Sequence, residues 1–272
     1  METRTDPIPE TDELSFFTVS EELGTLRERI TGEYRACVDS TSSELKKRAD
    51  TLPEGYVLLA DRQTGGRGRR GRSFFSPAGT GIYMSILLRP ALPPEEAVSV
   101  TTAAAVAACR AIEECTEEKP SIKWVNDIFV RGKKVCGILT EGQSAPDGGT
   151  FRWIVLGVGF NVTPPEGGFP GELSPVAGSV LPKREAGVRP RLAAAFLRQF
   201  FALYDALPSK SASAEYRERC FLPGKEIFVL NGEEKLPARA LDVDGECRLV
   251  VQYGDGRIEA LHSGEVSVRI KE

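Results

Sequence analysis

The amino-acid sequence predicts an α+β protein in which a sheet with flanking helices is followed by a small all-β domain. Apolar runs at Tyr56–Ala60 and Gly81–Arg89 are typical of buried strands. The alanine-rich segment Ala97–Cys115 has the apolar spacing of a long core helix. After Pro223 the pattern changes to short alternating stretches separated by Asn-Gly, Asp-Gly and Gly-Asp turns. A chain of 272 residues is long enough for one large domain and one small one.

The N-terminal part divides into a tail and the start of the main domain. Residues 1–20 are polar, contain prolines and lack apolar periodicity, so we predict a disordered tail. The main domain is expected to span 21–222 and the C-terminal β domain 223–272. Within the main domain, Glu21–Ile30 is helix-like, and Ser40 precedes a polar helix in the position of an N-cap.

The rest of the main domain is predicted to contain further strands and one covering helix. Residues 122–130 and 134–142 are strand-like and are joined by a turn at 131–133, which predicts a hairpin. Residues 151–162 form the next predicted strand. Pro190–Leu207 starts with a proline, a favoured first helical residue, and its wide apolar stripe predicts that it covers one sheet face.

Composition narrows the classes of protein that the chain can belong to. The apolar fraction is 41%, and no apolar run approaches the roughly 20 residues that span a bilayer. The acidic N-terminus lacks the features of a secretory signal, so we expect a cytoplasmic protein with its scattered cysteines reduced. The single histidine, His262, excludes a histidine-rich metal site. The net charge of −4 argues against a general nucleic-acid binder.

One segment departs from this acidic balance. Arg62–Arg72 contains five arginines, four glycines and no acid. Its glycines allow the backbone to approach an anion closely, and its guanidinium groups offer paired donors to phosphate oxygens. We expect mutual repulsion to keep the empty loop mobile and an anionic substrate to order it. The alternative is an RNA-binding or targeting patch. The segment is neither a dinucleotide fingerprint, which needs a following helix, nor a Walker A loop.

A second group of polar residues lies in apolar sequence at Lys123–Ile128. Asp127 could hold Mg²⁺ against phosphates, Asn126 could bind a ligand, and Lys123 or Lys134 could neutralise charge on a transferring group. The alternative is that the polar pair forms a turn and that the lysines are solvated. Glycines follow in the next two strands, where they usually mark a close approach to a ligand. Together these features predict a sheet face that accepts something flat.

Four motifs in order, GRGRRGRSFFSP, KWVNDI, GKKVCGILTE and VLGVGFNV, resemble those of the biotin protein ligases. The resemblance runs from about Arg35 to the C-terminus. It implies a mixed sheet flanked by helices, similar to class II aminoacyl-tRNA synthetases, followed by a small SH3-like β-barrel. It also implies an ATP-dependent enzyme that makes biotinyl-5'-AMP and transfers biotin to a lysine of a biotin carboxyl carrier protein.

The resemblance assigns roles to individual positions. It implies that Lys134 and Arg69 are catalytic and that Asp127 holds Mg²⁺. The implied biotin-binding residues are Ser40, Thr41, Ser42, Gln63, Gly66, Arg67, Gly68, Arg69, Lys134, Gly137 and Gly157. The implied ATP-binding residues are Arg69, Arg70, Arg72, Phe74, Lys123, Asn126, Gly159 and Asn161.

The sequence also departs from the family pattern at three positions. Val125 stands where proline is usual, Ser42 where asparagine is common, and Phe74 where tryptophan may stack on adenine. No departure removes a charge needed for adenylation. Because only about thirty-five residues precede the resemblance, we expect no DNA-binding domain; a homodimer would fit the family. The remaining alternatives are a lipoate or octanoate ligase on the related fold and an RNA-binding protein.

Overall fold

The computed structural model describes residues 14–207, 211–231, 234–262 and 267–270. These residues form helices and two β-sheets. The helices are α1 Phe16–Glu21, α2 Thr41–Arg48, α3 Ala97–Cys115, α4 Val188–Asp205 and α5 Ala212–Arg219. The strands of the first sheet are β1 Thr31–Val38, β2 Tyr56–Gln63, β3 Gly81–Leu88, β4 Ser121–Lys123, β5 Asp127–Val130, β6 Lys133–Ser144 and β7 Phe151–Asn161. The strands of the second are β8 Glu226–Asn231, β9 Glu234–Val243, β10 Leu249–Tyr253, β11 Ile258–Leu261 and β12 Ser267–Ile270.

The first sheet is mixed, in the order β1-β2-β3-β7-β6-β5-β4. Strands β1 and β2 pair in parallel, and the remaining neighbours pair antiparallel. Helices α3 and α4 pack against each other and cover one face, where α3 is buried from Val100 to Cys109. Helix α2 covers part of the other face through Leu45, which packs with Leu58 and Leu87. The predicted mixed sheet flanked by helices is therefore confirmed.

The predicted strands and helices of the main domain agree closely with the structure, with two differences. The predicted strand at 122–130 is divided into β4 and β5 by the segment 124–126, which turns to face the space above the sheet. Helix α4 begins at Val188, two residues before the proline expected to start it, because Gly187 adopts a left-handed φ of 69° just before the first turn.

The predicted disorder at 1–20 is wrong for the residues that the structure describes; 1–13 lie outside them. Leu14 and Val19 are buried in the main core, and α1 begins with a capping box between Ser15 and Thr18. A six-residue helix with a single buried position has no apolar periodicity to detect.

The predicted helix at Glu21–Ile30 is also wrong. The structure has a short 3-10 turn at Gly24–Glu28, where Gly24 has a φ of 58° that a regular helix does not allow. Strand β1, which follows, is an edge strand of intermediate and exposed residues. It lacks the alternation of a half-buried strand, and the sequence therefore gave no signal for it.

The second sheet is antiparallel, in the order β11-β10-β9-β8-β12, and it forms the predicted small C-terminal β domain. It packs against the main domain through the segment between β4 and β5: the indole Nε1 of Trp124 donates to the backbone oxygen of Cys247 at 2.9 Å. All six cysteines are free thiols. Among the described helices, none combines the length and the apolar character needed to cross a bilayer.

Candidate active site

A cleft of about 1010 Å³, including its solvent-open part, lies between the start of α2, the arginine loop, the face of β3, β6 and β7, and strand β12. It is lined by every predicted site residue except Gly66 and Asn161. The structure thus brings together residues from distant parts of the chain. The additional lining residues are Ser73, Met84, Trp124, Ile138, Leu139, Val158 and Val268.

Neutral polar groups form one end of the cleft, at the start of α2. Ser40 is the N-cap, and its hydroxyl accepts from the backbone N–H of Ser43 at 3.4 Å. The backbone N–H and the hydroxyl of Thr41 both donate to Oε1 of Gln63, at 2.9 and 3.2 Å. The Nε2 of Gln63 donates to the hydroxyl of Ser76 at 2.9 Å. The amide of Gln63 is thereby held in one orientation.

Sequence reasoning missed Ser85, whose hydroxyl contacts the hydroxyls of Thr41 and Ser42. Its Oγ lies 2.8 Å from Oγ1 of Thr41 and 2.9 Å from Oγ of Ser42. Gly157 pairs with Ser85 on the adjacent strand, and a Cβ there would lie 2.5 Å from Oγ of Ser42. The glycine is therefore required for this hydroxyl cluster to pack. The only possible signal was a polar residue in the otherwise apolar strand β3.

The sheet face that was predicted to accept a flat ligand is covered by the aromatic ring of Phe74. Gly137 and Gly159 pair across β6 and β7, and a Cβ on either would lie 3.0 or 2.5 Å from ring atoms of Phe74. The ring also makes an edge contact with Tyr83, with centroids 6.4 Å apart. Gly66 lies outside the cleft lining and packs against the backbone of Phe74. A Cβ added at this position would lie 2.3 Å from the backbone oxygen of Phe74. These glycines serve the packing of Phe74.

The arginine loop is a tight hairpin in the structure, although the sequence predicts mobility in the absence of an anion. The N–H of Gly68 donates to the oxygen of Arg72 at 2.7 Å, and Arg70 at the tip has a left-handed φ of 57°. The guanidinium of Arg70 reaches the second sheet, where Nη1 donates to the backbone oxygen of Leu230 at 3.1 Å. The loop therefore lies between the main domain and the C-terminal domain.

The side chain of Arg69 points inward under the loop. Its Nη1 donates to Oδ1 of Asn126 at 3.3 Å, and Nδ2 of Asn126 donates to the backbone oxygen of Ile138 at 2.7 Å. Asn126 thus lines the cleft with its amide bonded to protein groups. Burial, together with the neighbouring charge of Arg70, lowers the pKa of the Arg69 guanidinium. An anion in the cleft would offset that unfavourable burial.

Two lysines, Lys123 and Lys134, line the cleft beside Asp127. Nζ of Lys134 lies 2.6 Å from Oδ1 of Asp127, a buried oxygen that accepts no hydrogen bond from the described residues. Burial lowers the pKa of Lys123, Asp127 opposes this, and Lys134, Arg72 and Arg269 lower it further. Crowded cations with one nearby carboxylate favour an anionic ligand. The predicted alternative of solvated lysines does not describe them.

Arg67 is paired with an acid, Glu141, that sequence reasoning missed. Nη2 of Arg67 lies 3.2 Å from Oε1 of Glu141 on β6, and Nζ of Lys46 on α2 lies 2.8 Å from the same oxygen. Glu141 thus ties the loop to both walls of the cleft. Its role depends on the fold that places β6 beside α2, and the sequence alone does not show this.

Asn161, predicted to bind ATP, lies outside the cleft lining. Its Nδ2 donates to the backbone oxygen of Gly178 at 3.0 Å, and the N–H of Gly178 donates to the oxygen of Lys134 at 2.9 Å. In this structure Asn161 therefore secures the segment beside β6 that supports Lys134. Asn161 ends β7 at the point where that segment returns to the sheet, and its role in binding ATP stays a prediction.

Sequence comparisons assign both domains to known families. Residues 34–161 match the biotin/lipoate A/B protein ligase family, and residues 224–269 match the biotin protein ligase C-terminal domain. The bifunctional ligase/repressor BirA of Bacillus subtilis is 31% identical over 264 residues, covering 89% of this chain and 76% of that protein. The biotin–[acetyl-CoA-carboxylase] ligase of Mycobacterium tuberculosis is 32% identical over 237 residues, covering 84% and 85%.

A solved structure shares the same architecture. The biotin protein ligase of Aquifex aeolicus in complex with biotin and ATP is 28% identical, with a TM-score of 0.73, and the match covers 89% of this chain and 99% of that one. Similarity therefore extends over both domains and over the elements that build the cleft. On these grounds the chain belongs to the biotin protein ligase family.

Proposed function

We propose that this protein joins biotin to ATP as biotinyl-5'-AMP and then transfers biotin to the ε-amine of a lysine on a biotin carboxyl carrier protein. One observation carries the proposal: a single cleft is lined both by neutral hydroxyls and an amide at the start of α2 and by a cluster of arginine and lysine side chains. Biotin has a neutral ureido ring at one end and a carboxylate at the other. The polarity of the cleft matches that of the substrate.

The cations serve the first step. A carboxylate oxygen of biotin attacks the α-phosphorus of ATP, the bond to the bridging oxygen breaks, and pyrophosphate leaves. Both reactants are anionic, so neutralisation lowers the barrier. In this proposal Lys134 contacts the biotin carboxylate, and Lys123 and Arg72 contact the phosphates. The pKa of Lys123 is lowered by burial and by neighbouring cations, so a bound phosphate would favour the charged form of this lysine.

The arginine loop serves the second step. Biotinyl-5'-AMP is a mixed anhydride that water hydrolyses, so the site must exclude water until the amine attacks. The hairpin covers the cleft, with Arg69 beneath it and Arg70 bonded to the second sheet. When the amine attacks the acyl carbon, the acyl–oxygen bond breaks and AMP leaves. Phe74 supplies an aromatic face for the adenine.

Mg²⁺ fits the residues present at one point. Oδ1 of Asp127 is buried and lies 2.6 Å from Nζ of Lys134, so a cation held largely by phosphate oxygens and water would share this carboxylate with the lysine. The described residues contain no group of three or more His, Cys, Asp or Glu side chains that could hold a metal by themselves. Mg²⁺ bound there would neutralise phosphate charge and orient ATP.

The acceptor is proposed from the chemistry and from the relatives. The Mycobacterium tuberculosis protein is named for acetyl-CoA carboxylase, and a carrier domain of such a carboxylase is the expected partner here. This assignment places the protein in the cytoplasm, where carrier proteins and ATP are present. Asp127 is the one carboxylate among the described residues that line the cleft, and its Oδ1 is paired with Lys134.

The proposal is tested with the full chain, ATP, Mg²⁺ and, separately, biotin, lipoate or octanoate. Mass spectrometry of the nucleotide products should detect biotinyl-5'-AMP in the biotin reaction. Adding a carrier domain should move biotin onto one lysine. Lipoyl or octanoyl adenylate as the sole product would show a lipoate-type ligase. Salt-sensitive RNA binding without nucleotide turnover would support the RNA-binding alternative.

A further inference from the structure

A fully buried hydroxyl lies beneath the neutral end of the cleft. Ser85 has no exposed surface, and its neighbours on β3 are Met84 and Ile86, both core residues. A buried hydroxyl without partners costs free energy, so its contacts define its role. Those contacts are the hydroxyls of Thr41 and Ser42, at 2.8 and 2.9 Å. Both of these partners line the cleft, whereas Ser85 lies behind them.

The direction of the hydroxyl protons follows from Gln63. The backbone N–H of Thr41 can only donate, and it lies 2.9 Å from Oε1 of Gln63, so this side of the amide is its oxygen. The hydroxyl of Thr41 lies 3.2 Å from the same oxygen, which can only accept, so Thr41 is the donor in that hydrogen bond. With its proton used in that bond, Thr41 accepts from Ser85 at 2.8 Å. Ser42 then donates to Ser85.

This order fixes what the cleft presents to a ligand. The protons of Thr41 and Ser42 both point into the protein, toward Gln63 and Ser85. Each oxygen keeps a lone pair on the cleft side, because a hydroxyl has two acceptor positions and one donor. In the opposite order, Ser42 would present a proton instead. The chain Ser42, Ser85, Thr41, Gln63 thus makes two neighbouring acceptors.

We propose that Ser85 is a positioning residue that holds Thr41 and Ser42 as hydrogen-bond acceptors for the two N–H groups of the biotin ureido ring. The inference rests on the proposed function and adds a residue that touches no ligand itself. A ureido ring carries two parallel N–H donors, and two acceptors fixed in advance require no reorientation on binding. Gly157 completes the arrangement by leaving space for Ser42.

The test compares biotin with its cyclic carbamate analogue, in which one ring N–H is replaced by oxygen. The unmodified protein should bind the analogue about 10-fold more weakly than biotin, since it lacks one donor. Ser85→Ala should raise the KM for biotin by about 3- to 10-fold. It should also reduce the ratio of the Kd for the analogue to the Kd for biotin, which measures the preference for biotin. Its KM for ATP and its kcat should change by less than about 2-fold, because its hydrogen-bond partners are the neutral hydroxyls of Thr41 and Ser42.

Two further variants make the outcome decisive. Thr140→Val is the matched control, because Thr140 pairs with Thr101 at 2.8 Å through a similar hydroxyl contact outside the cleft lining, and it should leave the preference unchanged. Ser42→Ala should reproduce the narrowed preference even if Ser85→Ala folds poorly. The role of Ser85 would be overturned if Ser85→Ala and Ser42→Ala each weakened the binding of biotin and of the analogue by the same factor, or if neither variant weakened binding. Absence of biotinyl-5'-AMP with the unmodified protein would instead defeat the proposed function, and the inference with it.

Discussion

At the scale of single residues, the most consequential contact is the pair formed by Lys134 and Asp127. Their side chains are 32% and 24% exposed, so the pair is only partly screened by water. Lys134 has two tasks: it neutralises a buried carboxylate oxygen in the folded protein, and it faces the anionic ligand. A change at this position therefore affects both stability and activity, and the two effects need to be separated.

Lys134→Ala should reduce adenylate formation by about 100-fold or more, because it removes a cation from the reacting carboxylate. It should also lower the free energy of unfolding by about 1–2 kcal/mol, since Oδ1 of Asp127 is left buried without its counter-charge. Biotin-dependent exchange of pyrophosphate into ATP measures the first effect, and urea denaturation the second. Adding Asp127→Asn to Lys134→Ala should recover stability, because it removes the unpaired buried charge. Unchanged pyrophosphate exchange in Lys134→Ala would show that Lys134 acts only structurally.

Arg69→Gly should release the intermediate. The guanidinium lies under the loop and bonds to Asn126, so its loss removes both a cation and a support of the hairpin. Biotinyl-5'-AMP should appear in solution and label lysines on unrelated proteins, which streptavidin blotting of a mixed-protein reaction detects. Arg62→Gly is the matched control, because Arg62 belongs to the same segment but not to the cleft lining. Labelling confined to the carrier domain in Arg69→Gly would contradict this role.

Which site residues could be predicted from sequence depends on how local their signal is. The arginine loop is recognisable because its charge and glycine content are concentrated in eleven consecutive residues, Arg62–Arg72. Ser85, Glu141 and Trp124 were missed, since each acts through a partner that only the fold brings near. Asn161 was assigned to ATP through the family motif, and its bond to Gly178 is a tertiary contact.

At the scale of elements, strand β7 carries two glycines that make room for different side chains of the cleft. A Cβ at Gly157 would displace Ser42, whereas a Cβ at Gly159 would displace the ring of Phe74. Gly157→Ala should therefore raise the KM for biotin by about 10-fold and leave that for ATP nearly unchanged, and Gly159→Ala should do the reverse. Steady-state kinetics with each substrate varied checks both. The same KM changes in both variants would indicate a general distortion of β7.

Helix α5 is held to α3 by a charged cluster around Glu215. Nε of Arg110 donates to Glu215 at 3.0 Å and Nε of Arg219 at 2.8 Å. Burial opposes ionisation of Glu215, but these hydrogen bonds outweigh it and hold its pKa below the ordinary value of 4.5. The stabilisation is therefore fully present above pH 4.5 and is lost as pH falls through the lowered pKa.

Glu215→Gln should lower the free energy of unfolding by about 1 kcal/mol at neutral pH, since it removes a partly buried carboxylate from two guanidinium groups. The difference between the variant and the unmodified protein should shrink below pH 4.5, where the native carboxylate also loses its charge. Denaturant titrations between pH 3 and pH 7, buffered at about constant ionic strength, measure it. A difference that is constant across this range would exclude Glu215 as the source.

Element boundaries were predictable where burial imposes a regular pattern. Helix α3 matches its predicted range, and β3 is apolar along most of its length because both of its faces are covered. Strand β1 and helix α1 were not predictable, since edge position and short length leave too few buried residues to form a period. The predicted α+β class survives these errors because the central strands and long helices determine it.

At the scale of the whole molecule, the cleft belongs to both domains. Val268 of β12 lines it, and the backbone oxygens of Leu230 and Cys247 accept from Arg70 and Trp124 of the main domain. The sequence predicts two domains but not their contact, because each bond uses a backbone oxygen that any residue could supply. The second sheet therefore contributes to the candidate active site: Val268 lines the cleft, and two backbone oxygens of the C-terminal domain hold Arg70 and Trp124.

Trp124→Phe tests this coupling, since it keeps an aromatic side chain but removes the indole donor to Cys247. The free energy of unfolding should fall by about 1–3 kcal/mol, because the oxygen of Cys247 is left buried. Adenylate formation should fall more than stability alone explains, as the wall of the cleft loosens. Trp153→Phe is the matched control, because Trp153 packs beside Leu45 and α2, away from the domain contact. If both variants lose stability and activity equally, the contact does not hold the site together; a selective loss in Trp124→Phe would show that adenylation depends on the docked C-terminal sheet.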